Sequence, residues 1–374
     1  MGILQTGLEN LIESGSAAQF KGQIGLLCHS ASTTRNFELA AISFKKLFGN
    51  RFCKLFGPQH GFVCDVQDNM IETKSVHHPY FDLPVYSLYS ETRVPSDEML
   101  EGLDTLFVDL QDVGTRIYTY ISTLKLLMEA CGKKGIKVVV LDRPNPVGGL
   151  EVEGNILKPE FKSFVGQFEI PMRHGMTMGE VGLYALAHEG VTCEYQVFPM
   201  KGWSRSMLWS DTGLSWINPS PNLPTPEGCL CFPGTVIFEG TTASEGRGTT
   251  RSLELVGAPD IEPFSFVEQL NSELKHWPLQ GFILRPLTFH PTFQKFANQT
   301  CGGVHIQITD PQVFKPWALG QFLCAYFKKN VASFDWNTAP YEYENDRLSF
   351  DLLNGDDQVR KWVEKDGSYN GLKK

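Results

Sequence analysis

Residues 136–141 read IKVVVL, a nearly unbroken aliphatic run in which both side-chain faces are apolar. A strand of that kind must be covered on both sides, which is the situation of a parallel sheet flanked by helices. Other runs of similar character occur at Gln23–His29, Phe52–Phe56, Val85–Leu88 and Thr105–Leu110. Helical spacing separates them. Phe37–Phe48 carries apolar residues at that period, as do Ile117, Tyr120, Ile121, Leu124, Leu127, Met128 and Cys131, with Gly132 and Gly135 near the stop. Strand and helix alternating in this way predict βαβ units and an α/β fold with a mostly parallel, doubly wound sheet.

The length of 374 residues exceeds one ordinary domain at about 150 residues each. Pro144, Pro146, Gly148 and Gly149 break the regular pattern, so the join is expected near residue 160, with domains over 1–160 and 161–374. In the second part, Thr177 and Glu180 form a capping box that opens a helix through His188. Helices are expected at Phe264–His276 and Trp317–Lys328, and strands at Tyr195–Phe198 and Val304–Ile308. Two long loops, Asn218–Gly228 and Phe238–Glu254, separate them, and loops of that length usually carry function. Beyond about residue 335 the chain is acidic and shows one short helical pattern near Val359–Val363.

Composition narrows the function. The chain has 33 Lys and Arg against 42 Asp and Glu, and the resulting charge of −9 opposes the phosphate neutralisation on which nucleic-acid binding rests. No 18-residue apolar run exists to span a bilayer, and Glu9 and Glu13 stand where a secretory signal needs a basic end and an apolar core. A cytoplasmic protein with neither membrane nor nucleic-acid partner is expected. The nine cysteines follow no disulfide or zinc spacing, so no metal is expected. Neither GxGxxG nor GxxxxGK[ST] is present, which argues against a nicotinamide or ATP cofactor, and no GxSxG marks a serine hydrolase. His77–His78, Met172, Met176 and Met178, and Trp203, Trp209 and Trp216 read as surface or packing residues.

Polar clusters fall immediately after the strands, and in an open parallel sheet those carboxyl ends share one edge where ligands bind. HSAST follows the first strand. GPQHG (57–61) brings Gln59 and His60, with two glycines that free the backbone. DLQDVGTRIYTY (109–120) brings Asp109, Gln111, Asp112, Arg116 and Tyr118; carboxylates and a guanidinium this close suit a helix cap or a carboxylate-binding site. DRPNP (142–146) brings Arg143 and Asn145 on a proline-stiffened turn. In the second loop, Glu239, Glu245, Arg247 and Arg251 lie among glycines and threonines, a mixture suited to acid/base work on an anionic ligand.

Taken in order, GPQHG, DLQDVGTRIYTYI, LDRPNPVGG, RHGMTMGE, the Met200–Trp203 step, SPNLPT and FPGTVIFEGTTASEGRGTT resemble the NamZ-type exo-β-N-acetylmuramidases over about residues 22–330. The resemblance implies a Rossmann-like, mostly parallel sheet domain followed by a smaller α/β domain, with the active site in the cleft between them. It implies removal of N-acetylmuramic acid from the ends of peptidoglycan fragments without a cofactor. A small acidic amino sugar or a muropeptide-derived saccharide is then the partner. In that family the third position of the first turn is typically a catalytic Glu, whereas this chain has Gln59, followed by Phe62-Val63-Cys64-Asp65 where a basic residue is usual. Glu91, Asp65, Asp112 and Glu245 are the carboxylates available to replace it, and Asp112 with Glu245 is the preferred catalytic pair. Gln59, His60, Asp109, Gln111, Arg116, Tyr118, Arg143, Asn145, Glu239, Arg247 and Arg251 are the expected substrate contacts, the arginines serving the lactyl carboxylate. Two alternatives are a sugar-binding or sensing protein that has lost turnover and a transferase using a nucleotide sugar.

Overall fold

The computed structural model describes residues 4–68 and 70–372. The chain forms two compact units, each assembled from separate stretches. The first takes residues up to Gly114, Tyr118–Glu151 and Gly175–Pro221. The second takes Thr115–Ile117, Val152–His174 and the chain from Asn222 onward. The break expected near 160 falls within a segment of the second unit, after which the chain returns to the first for another 47 residues, 175–221.

The first unit is built on a seven-stranded sheet of β1 (Ile24–Cys28), β2 (Phe52–Gly57), β3 (Val76–His78), β4 (Leu83–Ser87), β5 (Thr105–Asp109), β6 (Lys137–Leu141) and β7 (Tyr195–Phe198). Their order is β3-β4-β2-β1-β5-β6-β7, and every pair is parallel except β3 with β4. Strand β7 was expected in the second domain, but it pairs in parallel with β6. Sheet membership is decided by a partner some 55 residues away and not by local pattern. The central strands β1 and β5 are buried throughout, as IKVVVL anticipated for β6, whose Val138, Val139, Val140 and Leu141 are fully enclosed. Each such side chain contributes about 1.5–3 kcal/mol by leaving water. Phe20, Phe44, Phe48, Phe52 and Phe107 pack on one face in edge-on and tilted contacts. His77 and His78 lie on the three-residue, largely exposed edge strand β3, a short edge that offers little to a passing strand.

The helix Met178–His188 opens as its sequence specifies. Thr177 Oγ1 accepts from the Glu180 amide at 3.3 Å, and Glu180 Oε2 accepts from the Thr177 amide at 3.0 Å. A second box, unanticipated, starts the helix Gly7–Glu13 at Thr6 and Glu9. Its seven residues are too few for a period to show.

The second unit holds a three-stranded antiparallel sheet, β8 (Leu255–Ala258), β9 (Phe282–Phe289) and β10 (Cys301–Ile308), in the order β8-β10-β9. Of these only β10 was anticipated. Strand β9 contains Pro286, which lacks an amide and is tolerated because β9 pairs on one side alone. Helices Pro226–Thr235, Pro263–Leu274, Pro316–Asn330, Ser349–Asn354 and Gln358–Lys365 complete the unit. The first of these was not anticipated: its first turn lies in the expected loop 218–228 and the rest in unassigned sequence, where Gly228, Pro233 and Gly234 disguise it. Gly234 and Gly320 let it cross Pro316–Asn330 at backbone contact: a Cβ on Gly234 would lie 2.0 Å from the Pro316 carbonyl oxygen, and one on Gly320 would lie 2.1 Å from that of Gly234.

Candidate functional site

Three strand ends of the first unit supply the expected polar side chains. His29 follows β1, Gln59 and His60 follow β2, and Gln111 and Asp112 follow β5. His29 is fully buried, and its Nε2 accepts from the Gln111 amide at 3.1 Å. The proton therefore sits on Nδ1, which faces the Tyr120 hydroxyl at 3.4 Å and Cys64 Sγ at 3.5 Å. Tyr120 passes the chain on, donating to the Pro219 carbonyl at 2.8 Å. Burial, and after it the charge of Arg143, holds the His29 imidazole well below its ordinary range, so it is neutral at physiological pH.

His60 adopts a left-handed φ of 69°. Its Nδ1 lies 2.8 Å from the Val66 carbonyl and so carries the proton, leaving Nε2 to accept from Ser220 Oγ at 3.1 Å. Beside it, Gln59 Oε1 accepts from Thr119 Oγ1 at 2.5 Å. Asp112 is buried, with Oδ2 accepting from the Gly114 amide at 2.7 Å. Tyr118 meets Tyr120 in a tilted contact with ring centroids 4.5 Å apart.

Asp109 and Arg143 form a buried, two-pronged ion pair in which Arg143 Nε and Nη2 each take one carboxylate oxygen. Burial raises the Asp109 carboxyl even against the neighbouring guanidinium. Arg143 Nη2 also donates to the Thr33 carbonyl at 2.9 Å, and Gln111 Nε2 donates to the carbonyls of Asp112 and Pro144. Asn145 bridges the Val147 amide and the Met176 carbonyl. All four residues expected as substrate contacts here, Asp109, Gln111, Arg143 and Asn145, have partners within the protein.

The second unit carries the other expected residues. Glu245 is buried between two cations: Lys295 Nζ at 2.9 Å from Oε2 and Arg247 Nε at 3.3 Å from Oε1. Burial alone would raise its pKa, but Lys295 and Arg247 outweigh burial and hold the carboxyl below its usual value. Arg247 also pairs with Glu239, whose Oε2 accepts from the Tyr341 hydroxyl at 2.6 Å. Lys295 Nζ donates further to the carbonyls of Phe238 and Ala243, which pins the loop. Arg251 differs from the other arginines, for its side chain is half exposed and meets Glu254 at 3.3 Å.

Arg116 departs most from expectation. It belongs to the second unit, is fully buried, and donates to four carbonyls: Nη1 to Asn155 and Ile170, Nη2 to Leu353 and Asn354. Burial pushes its pKa to about 10, which still leaves it charged at neutral pH. Its fork is occupied by backbone rather than offered to a ligand. The structure thus places Gln59, His60, Asp112 and Tyr118 in the first unit, each on its own partner, and joins Glu239, Glu245 and Arg247 through ion pairs in the second. His29 and Tyr120 lay in named clusters, HSAST and DLQDVGTRIYTY, but were not singled out, and Lys295 and Tyr341 were missed. Among the described residues no three His, Cys, Asp or Glu side chains are placed to hold a metal, and no helix is long and apolar enough to cross a membrane.

Residues 24–227 match the family model for the N-terminal part of exo-β-N-acetylmuramidase NamZ, and residues 230–374 match the model for its C-terminal part. The chain is 38% identical over 371 residues to the peptidoglycan β-N-acetylmuramidase NamZ of Bacillus subtilis (strain 168), covering 99% of this chain and 86% of that protein. Two solved DUF1343 family proteins from Bacteroides fragilis NCTC 9343 share the fold. One superposes with a TM-score of 0.85 at 29% identity, covering 99% of this chain and 94% of the other. The second gives 0.73 at 27%, covering 100% and 94%.

Proposed function

Because the chain belongs to the exo-β-N-acetylmuramidase NamZ family, we propose that it is a glycosidase that releases N-acetylmuramic acid from the ends of peptidoglycan-derived saccharides. The observation that carries this reading is the pair of family matches, which together run from residue 24 to residue 374. The nine free thiols support a reducing compartment, in which the substrate would be wall fragments rather than intact wall.

Hydrolysis of a glycosidic bond needs a proton for the leaving oxygen and an ionised carboxylate that serves as nucleophile or activates water. Glu245, held ionised by Lys295 and Arg247, has no proton to give, and both its oxygens are engaged. We assign it to holding the 238–254 loop. Asp112 keeps the catalytic assignment, since its carboxylate is buried at the end of β5 and oriented by the Gly114 amide. The lactyl carboxylate falls to Arg251, because buried partners already occupy Arg116, Arg143 and Arg247.

The test is incubation of the purified chain with a chromogenic β-N-acetylmuramide and the matching β-N-acetylglucosaminide, with the released sugar identified by mass. Turnover of the muramide in preference to the glucosaminide is expected. Cleavage of the glucosaminide alone, or of neither, would overturn the reading.

A further inference from the structure

The second unit holds a cavity of about 330 Å³, partly open to solvent, between the helices Pro263–Leu274 and Pro316–Asn330 and the turn at Asp366. Phe322, Tyr326 and Lys329 stand at helical positions i, i+4 and i+7, so they line it from one face of the second helix. Glu273, in the last turn of the first helix, and Trp277 just beyond that helix line it as well. Trp277 meets Phe322 edge-on with ring centroids 5.1 Å apart, which makes part of the wall aromatic. The volume is at the low end of ligand sites, enough for one small molecule rather than a saccharide chain.

Trp277 and Tyr326 are each only 8% exposed, yet neither the Trp277 indole N–H nor the Tyr326 hydroxyl has a hydrogen-bond partner among the described residues. The neighbouring indole of Trp362 does have one, for it donates to the Ser368 carbonyl at 2.8 Å. Polar groups on side chains this buried are normally paired, so the two describe a missing acceptor. Burial, and after it the charge of Glu273, raises the Tyr326 hydroxyl, which therefore keeps its proton at neutral pH. Lys329 supplies a third donor. Lys328 beside it is paired with Asp335 at 2.9 Å, and Asp366 accepts from the Ser368 amide at 3.0 Å. Lys329 and Glu273, by contrast, have no side-chain partner among the described residues, and they do not pair with each other across the cavity. Three donors and one free carboxylate thus line a single small space. A simple anion would leave Glu273 unmet, and a simple cation would leave the three donors unmet. A molecule that carries a carboxylate at one end and an ammonium at the other satisfies both.

We infer that this cavity binds a free amino acid or short peptide as its zwitterion, the carboxylate received by Lys329, Tyr326 and Trp277 and the ammonium by Glu273. The inference is independent of the proposed glycosidase function, which gives no role to any residue of this cavity.

The experiment is calorimetric titration of the full chain with alanine and alanyl-alanine, each also in an N-acetylated form that lacks the ammonium and an amidated form that lacks the carboxylate. N-acetylglucosamine serves as the saccharide control. Saturable binding of alanine or alanyl-alanine is expected, about tenfold or more tighter than either of its blocked forms or the sugar, since each blocked end loses a charge-assisted hydrogen bond. The tighter of the two tells a free amino acid from a peptide, and either supports the inference. Lys329 and Glu273 are exposed, so Lys329→Gln and Glu273→Gln should fold as the parent does and should each weaken binding of the zwitterion by about fivefold or more. Absence of saturable binding by both zwitterions overturns the inference. So does equal binding of a blocked form or of the sugar, and so does unchanged affinity in either variant. Muramide turnover bears on none of these outcomes, so the cavity and the proposed function stand or fall separately.

Discussion

Gln59 accepts a 2.5 Å hydrogen bond from the Thr119 hydroxyl, so the amide at the third position of the first turn is held by its oxygen. A glutamate at this position could accept the same bond and add a proton donor. Gln59→Glu should therefore fold as the parent does and raise turnover of a chromogenic muramide by about 10²-fold or more, the usual worth of general acid catalysis. A variant no faster than the parent would place the general acid elsewhere.

Glu245 and Asp112 are separable by what their loss does. Glu245→Gln leaves Lys295 and Arg247 without their shared anion and should cost about 3 kcal/mol of stability, read as a lower urea midpoint. Asp112→Asn keeps an acceptor for the Gly114 amide and should hold its midpoint while turnover falls by about 10²-fold or more. The opposite pattern would exchange the two roles.

Arg251 should matter for one substrate and not another. Arg251→Gln is expected to raise KM for a muramide several-fold and to leave KM for a lactyl-free glucosaminide unchanged, since a charge-assisted hydrogen bond is lost only in the first case. Equal effects on both substrates would remove Arg251 from carboxylate recognition.

Replacing Arg116 by Met strips four buried carbonyls of their donor. The expected cost is about 3 kcal/mol or more, seen in chemical denaturation. A loss of turnover at unchanged stability would contradict the backbone-holding role.

Asp142 gives a pH dependence of opposite sign to the common acidic case. It accepts from the Gly179 amide at 2.9 Å and the Thr177 hydroxyl at 2.8 Å, yet burial raises its carboxyl to about 6. An acid with a raised folded-state pKa stabilises the fold below its unfolded value, near 4, and that contribution disappears as pH rises through about 6. Relative to Asp142→Asn, the parent should lose roughly 2–3 kcal/mol between pH 4 and pH 7. Denaturation midpoints across that range would show it, and parallel curves would refute it.

The parallel sheet was legible because its strands are apolar on both faces and end in polar turns. Strand β7 was found with its ends correct, Tyr195–Phe198, but its sheet was not, because a strand's own residues do not name its neighbour. Pro286 hid β9, and the glycines and prolines of 226–235 hid a buried helix, each an exception that position in the fold makes affordable. The site followed the same division. The turn residues Gln59, His60 and Asp112 stood out where strands end. The pairing of His29 with the Gln111 amide spans 82 positions, and that of Glu245 with Lys295 spans 50. No local pattern records such contacts, so four arginines looked alike when three were already committed.

Arg116 also has a bearing on time. Its segment, Thr115–Ile117, is made well before two of the carbonyls that satisfy it, those of Leu353 and Asn354, which lie 237 and 238 positions further along. The second unit cannot close around this guanidinium until Leu353 and Asn354 have left the ribosome, more than 230 residues after Arg116. The first faces a shorter delay, because β7 follows β6 by more than 50 residues. A chain so ordered should not yield to division at a single point: a fragment beginning at Asn222 would lack the Arg116 segment that its own carbonyls are arranged to receive.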